Sequence, residues 1–178
     1  VDFKDGGQVS KYFNEAFMDI WDGGLGADLS YLIMTYHDYD LWVTGHSLGG
    51  ALASMAAAHI STNGIATKDK TTFYSLGEPR TGDPEFAALL DSLTTSYRIV
   101  HDKDIIPHVP PMHVLGYEHH KYEVWYANDM SPGSPYKVCV GQEDSTCSSS
   151  NQFNLNFDPD HPHYYGIHVP TYGRSGCT

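Results

Sequence analysis

The sequence predicts an α/β fold, a mostly parallel sheet with flanking helices. Two observations carry this. Short apolar runs of strand length alternate with longer helix-forming stretches from Leu41 to His101. A helical stretch between successive strands forces the strands parallel, because a tight hairpin cannot span it.

The elements follow in order. From about Gln8 to Tyr36 the pattern is helical: Phe13, Phe17, Ile20 and Trp21 recur at helical spacing, as do Leu29, Leu32 and Ile33. Gly23-Gly24 and Gly26 interrupt it, so two helices or one kinked helix are expected, with the aromatic stripe packed into the core. Leu41-Trp42-Val43-Thr44 suits a buried parallel strand. Residues Ser47 to Ile60 are rich in helix formers, and Thr62-Asn63-Gly64 ends them. Thr72 to Leu76 reads as the next strand. The loop Gly77 to Pro84 follows, with Pro84 opening a helix through about Leu90. Ser96 to His101 alternates as a third strand. Further strands are expected at Tyr122 to Tyr126 and Tyr136 to Val138, and Ser148-Ser149-Ser150 reads as a solvated loop.

Composition narrows the function classes. The 178 residues fit one domain, with 40% hydrophobic and 18% charged residues, as in an ordinary globular protein. The formal net charge is −12 and no basic run occurs, which argues against nucleic acid as a partner and against attraction to an anionic membrane. No apolar run approaches a bilayer span, so no transmembrane segment is expected. Cys139 and Cys147 flank a Gly/Asp/Ser/Thr-rich stretch that reads as a loop closed by a disulfide, the alternative being two free thiols. Cys177 is left odd, which asks for a partner outside this chain.

Gly45-His46-Ser47-Leu48-Gly49 lies between the first strand and the Ala-rich helix. In that context Gly-x-Ser-x-Gly has a mechanical meaning. The serine sits on a sharp strand-to-helix turn that lifts its hydroxyl above the sheet edge, and the glycines leave room for close backbone approach. The helix N-terminus then favours the negative charge of a developing oxyanion. These residues alone point to a serine hydrolase.

The segment Leu41 to Ala51 resembles the nucleophile region of the class 3, fungal-type triacylglycerol lipases, members of the α/β-hydrolase superfamily. Three further blocks are similar to that family in the same order: Gly77-Glu78-Pro79-Arg80-Thr81-Gly82-Asp83-Pro84, Lys103-Asp104-Ile105-Ile106-Pro107-His108-Val109-Pro110-Pro111, and Asp160-His161-Pro162-His163-Tyr164-Tyr165-Gly166. The resemblance implies Ser47 as nucleophile, Asp104 as acid and His161 as general base, with the Leu48 backbone N–H as one oxyanion donor. Asp102 and His163 are the rivals to Asp104 and His161. His108, His113, His119, His120 and His168 are expected to be structural or at the surface, and Arg80 and Asp83 to fix their loop by hydrogen bonds. No catalytic metal and no cofactor is expected. The family also pairs cysteines near Cys139 and Cys147.

The resemblance implies a carboxylic-ester hydrolase acting on acylglycerols, extracellular, and compatible with a lipid–water interface. A non-lipase esterase and a non-catalytic lipid-binding or interaction protein on a truncated hydrolase scaffold are the alternatives. Residues 1–40 match none of the family's early strands, lid or second oxyanion donor. The expectation is therefore a single partial α/β-hydrolase domain over residues 1–178, incomplete at its N-terminus, with an exposed sheet edge at Leu41 to Thr44. Loss of one oxyanion donor costs about 3–4 kcal/mol, so little activity is expected of these residues alone.

Overall fold

The computed structural model describes residues 1–4, 6–112, 114–151 and 159–178; His113 lies outside them. Five strands form one sheet in the order β1 (Leu41–His46), β2 (Thr71–Leu76), β3 (Thr95–His101), β4 (Tyr122–Tyr126), β5 (Lys137–Val140). The first four pair in parallel and β5 runs antiparallel to β4. The reason is connection length: α3 (Leu48–Thr62) and α4 (Pro84–Leu93) separate the first three strands, whereas β4 and β5 are joined by a loop without a helix.

The N-terminal stretch forms α1 (Lys11–Ile20) and α2 (Gly26–Thr35), joined by a π-helical turn over Trp21–Leu25 in which Gly24 takes φ 135°. The glycines thus do interrupt the helix, and only a residue without Cβ tolerates that angle well. Asp83 caps α4 through the Phe86 N–H, and Pro84 stands in the first turn, where its missing N–H costs nothing.

Each strand has two faces, and β2 shows how they are used. Phe73 packs with Phe17, Ala57, Met55, Phe86 and Leu90, the cluster between the sheet and its helices α1, α3 and α4. Tyr74 and Leu76 point the other way, toward Ile99, Met130 and Tyr164. On that second face an aromatic row crosses the sheet: Trp42 to Tyr74 at 5.7 Å, Tyr74 to Tyr97 at 5.5 Å, Tyr97 to Tyr122 at 5.8 Å between ring centroids.

Cys139 and Cys147 form a disulfide with Cα atoms 6.2 Å apart. The serine run departs from its expectation. Ser148–Asn151 is a 3-10 turn, Ser148 and Ser149 are buried, and the Ser148 N–H donates to Glu123. Glu123, fully buried beneath this turn, needs acceptor partners satisfied, and the small serines let the backbone come close enough to supply a donor. The trailing segment folds as a small hairpin, β6 (His163–Tyr164) with β7 (Ile167–His168), followed by α5 (Val169–Arg174).

Candidate active site

Ser47 stands between β1 and α3 at φ 57°, ψ −128°, a left-handed conformation that a non-glycine residue rarely adopts. Its neighbours make the turn feasible. A Cβ at Gly45 would overlap the Gly49 carbonyl, so only glycine lets β1 and α3 approach this closely. The Ser47 N–H is anchored on the Leu76 carbonyl at 2.9 Å. Leu48 opens α3, so its N–H is among those a helix leaves without an intrahelical acceptor.

Asp104 sits in the loop just beyond β3 and is fully buried. Its carboxylate accepts from the Ile106 N–H at 2.8 Å and from the Tyr164 hydroxyl at 2.6 Å. Both its oxygens also face His161 Nδ1, at 3.0 and 2.9 Å. A carboxylate can only accept, so Nδ1 carries the proton and Nε2 presents its lone pair. Nε2 lies 2.7 Å from Ser47 Oγ, the distance of a short hydrogen bond. The serine hydroxyl, the imidazole and the carboxylate are thus in line, although Ser47 and His161 are 114 residues apart.

The segment carrying His161 is laced to the end of β3. His101 Nδ1 donates to the His163 carbonyl at 2.7 Å, the Lys103 N–H donates to Asp160 at 3.2 Å, and the His101 N–H reaches the Tyr164 hydroxyl at 3.3 Å. His46 Nε2 adds a fourth tie, 2.8 Å from the His161 carbonyl. The rivals stand outside this line: His161 Nδ1 meets the carboxylate of Asp104, not that of Asp102, and His163 Nδ1 donates to the Pro159 carbonyl.

Two contributors escape sequence reasoning. Tyr164 is one, its hydroxyl buried against Asp104. Gly77 is the other: a Cβ there would stand 2.6 Å from Asp104 Oδ2 and 3.1 Å from His161 Nδ1, so a side chain would displace the acid and base. Its position directly after β2, at the end of a parallel strand, was an available signal.

Among the remaining histidines, His108, His119 and His120 are interior. His119 donates to the Pro107 carbonyl, and burial holds its pKa well below the usual range. His108 has neither ring nitrogen bonded among the described residues; burial, with the Arg80 guanidinium nearby, pushes its pKa down to about 4. His120 faces Glu78 at 3.2 Å, while His168 is half-buried near the surface and holds Thr171. Arg80 forms a buried two-pronged pair with Glu143, both contacts 2.7 Å, which fixes the loop after β2 to the disulfide loop. Among the described residues no three metal-ligating side chains gather into a metal site, and no helix is long and apolar enough to cross a membrane.

Known proteins resemble this chain in sequence and in fold. Residues 1–114 match the family model described as lipase (class 3). The chain is 37% identical to Lipase ZK262.3 of Caenorhabditis elegans, over 99% of this chain and 57% of that protein. It is 33% identical to a secreted mono- and diacylglycerol lipase of Fusarium solani, over 74% of this chain and 40% of that one. The triacylglyceride lipase structure of Rhizomucor miehei superposes with a TM-score of 0.84 at 31% identity, covering 94% of this chain and 63% of that structure. The chain therefore spans roughly half the length of the relatives it matches. On the strength of the family match and the nematode relative, this chain belongs to the class 3 lipases.

Proposed function

We propose that this chain carries the catalytic centre of an extracellular serine carboxylic-ester hydrolase that cleaves acylglycerols. One observation supports it above all: Ser47 Oγ, His161 Nε2 and Asp104 stand in hydrogen-bonded sequence, with Nδ1 protonated toward the buried acid. In this reading His161 takes the Ser47 proton as Oγ attacks the ester carbonyl carbon, and Asp104 stabilises the imidazolium. The oxyanion gathers at the Leu48 N–H and the N-terminal end of α3. The imidazolium then returns its proton to the departing alcohol, leaving an acyl group on Ser47. Water, deprotonated by His161, releases the carboxylic acid and restores the serine.

The substrate class rests on the relatives, whose names specify mono-, di- and triacylglycerol. The compartment rests on the secreted relative and on the disulfide, which persists in oxidising surroundings. The test is hydrolysis of monoacyl, diacyl and triacyl glycerides and of short soluble esters by the full-length protein. Glyceride hydrolysis is expected, with kcat falling about 10⁴- to 10⁶-fold in Ser47→Ala. A folded Ser47→Ala protein that still hydrolyses glycerides at the wild-type rate overturns the reading, and a wild type that cleaves only the soluble esters removes the lipase assignment.

A further inference from the structure

The residue before the nucleophile has a task of its own. His46 lies with its ring stacked on the His161 ring, centroids 4.7 Å apart and planes 26° off parallel. Its Nε2 is 2.8 Å from the His161 carbonyl oxygen. A carbonyl only accepts, so Nε2 bears the proton and the contact selects one tautomer of His46. The Tyr164 ring stands edge-on to His46 at 5.4 Å. His46 therefore touches the base-bearing residue twice, at its backbone and over its ring face, and touches the tyrosine that holds the acid.

We propose that His46 is a positioning residue for the acyl-transfer base: as a neutral ring it anchors the His161 backbone and lays a π face against the imidazole that must become a cation. This rests on the serine-hydrolase reading of Ser47 and His161. A neutral aromatic face attracts a neighbouring cation, whereas a second cation stacked there repels it. The surroundings keep His46 neutral. Burial lowers its pKa from the usual histidine range and the nearby His161 charge lowers it further, opposed by the His161 carbonyl contact and by Asp104. His161, Asp104 and Tyr164 are the titratable groups facing it. Above its depressed pKa, His46 is the neutral donor the arrangement needs. Below it, two imidazolium rings would face each other, and formation of the cationic His161 is disfavoured.

Two variants of the full-length protein separate the two contacts. His46→Gln keeps a side-chain N–H near the position of Nε2 and loses the ring; His46→Phe keeps a ring and loses the donor. Each is expected to lower kcat on a soluble ester, on the order of ten- to a hundred-fold, with KM little changed, because the misplacement acts on the reacting geometry. The acid limb of the kcat/KM profile gives the readout that packing alone would not move. In the wild type it steepens beyond unit slope where His46 gains its proton; in both variants it stays at unit slope. Wild-type kcat in both variants, or a steepened limb that persists in them, overturns the proposal. Nitrogen-15 NMR of the wild-type imidazoles covers the case in which neither variant folds: His46 must appear as the neutral Nε2–H tautomer at pH 7, and a protonated or Nδ1–H ring contradicts the proposal. Failure of the serine reading is distinguishable, since it shows as hydrolysis surviving Ser47→Ala.

Discussion

The two sides of the sheet are built differently. On the β3–β5 side, charged side chains are buried in pairs. Arg98 and Glu123 meet at 2.6 Å with side-chain exposures of 2% and 0%. Arg98 also donates to the His120 and Gln142 carbonyls, Arg80 grips Glu143, and the Cys139–Cys147 bridge closes the loop above them. On the β1 side nothing comparable exists among the described residues. Among the described residues β1 pairs with β2 alone, and Trp42 is 70% exposed at the edge, beside α2 with Tyr31 and Met34 also open to solvent. The site straddles this divide. Asp104 and His161 rest on the cross-linked side, whereas Ser47 hangs from the edge strand. The 2.7 Å contact between hydroxyl and imidazole thus bridges the two sides, with the β1–β2 register setting His46 opposite Leu76 and His46 itself held to the His161 carbonyl.

If the cross-linked side carries the stability, damage there should be severe and damage at the edge mild. Glu123→Gln leaves the Arg98 guanidinium buried without its counter-charge, which costs about 3–5 kcal/mol. Urea unfolding measures it, and a paired replacement of both residues by apolar ones should recover only part of the loss, because the Ser148 N–H and the His120 and Gln142 carbonyls lose these partners.

Next comes the pH response of His108. Its pKa is about 4 in the folded state against 6.5 ordinarily, so the unfolded chain binds the proton more readily. Stability should be complete above pH 6.5 and decline as pH falls toward 4, by about 3 kcal/mol in all. His108→Leu should flatten that decline in denaturation curves taken at successive pH values.

Replacing Cys139 and Cys147 together by serine frees the eight-residue separation they close and should cost about 2–3 kcal/mol. Differential scanning calorimetry reads this as a lower Tm. At the other edge, Trp42→Lys should change stability by no more than about 0.5 kcal/mol, since the ring is mostly solvated. It should still reduce aggregation in light scattering, because a charge on an open edge discourages strand pairing.

The same divide explains what could be read from the sequence. Strand, turn and helix around Ser47 are local, written in Leu41 to Val43, the flanking glycines and the alanines of α3. The helix break at Gly23-Gly24 is local too. The closed loop between Cys139 and Cys147 was visible as two cysteines around turn residues. Asp104 and His161 were marked only by resemblance, because composition and spacing do not say which carboxylate and which imidazole meet. The tertiary contacts were not legible. The buried Arg98–Glu123 pair looks in sequence like two surface charges on alternating strands. Ser148 and Ser149 look solvated until Glu123 is seen beneath them. The roles of Gly77 and Tyr164 emerge when their two separate segments converge on the Asp104 carboxylate.

Ester cleavage at this site requires the His161 imidazole to activate the Ser47 hydroxyl. A fluorophosphonate, which reacts with activated serines, tests it most directly when the adduct is mapped by mass spectrometry in the full-length protein and in a folded His161→Ala variant. The phosphonyl group is expected on Ser47, with the labelling rate falling about 10³-fold or more when the imidazole is removed. Labelling at another residue, or an unchanged rate in His161→Ala, would contradict it.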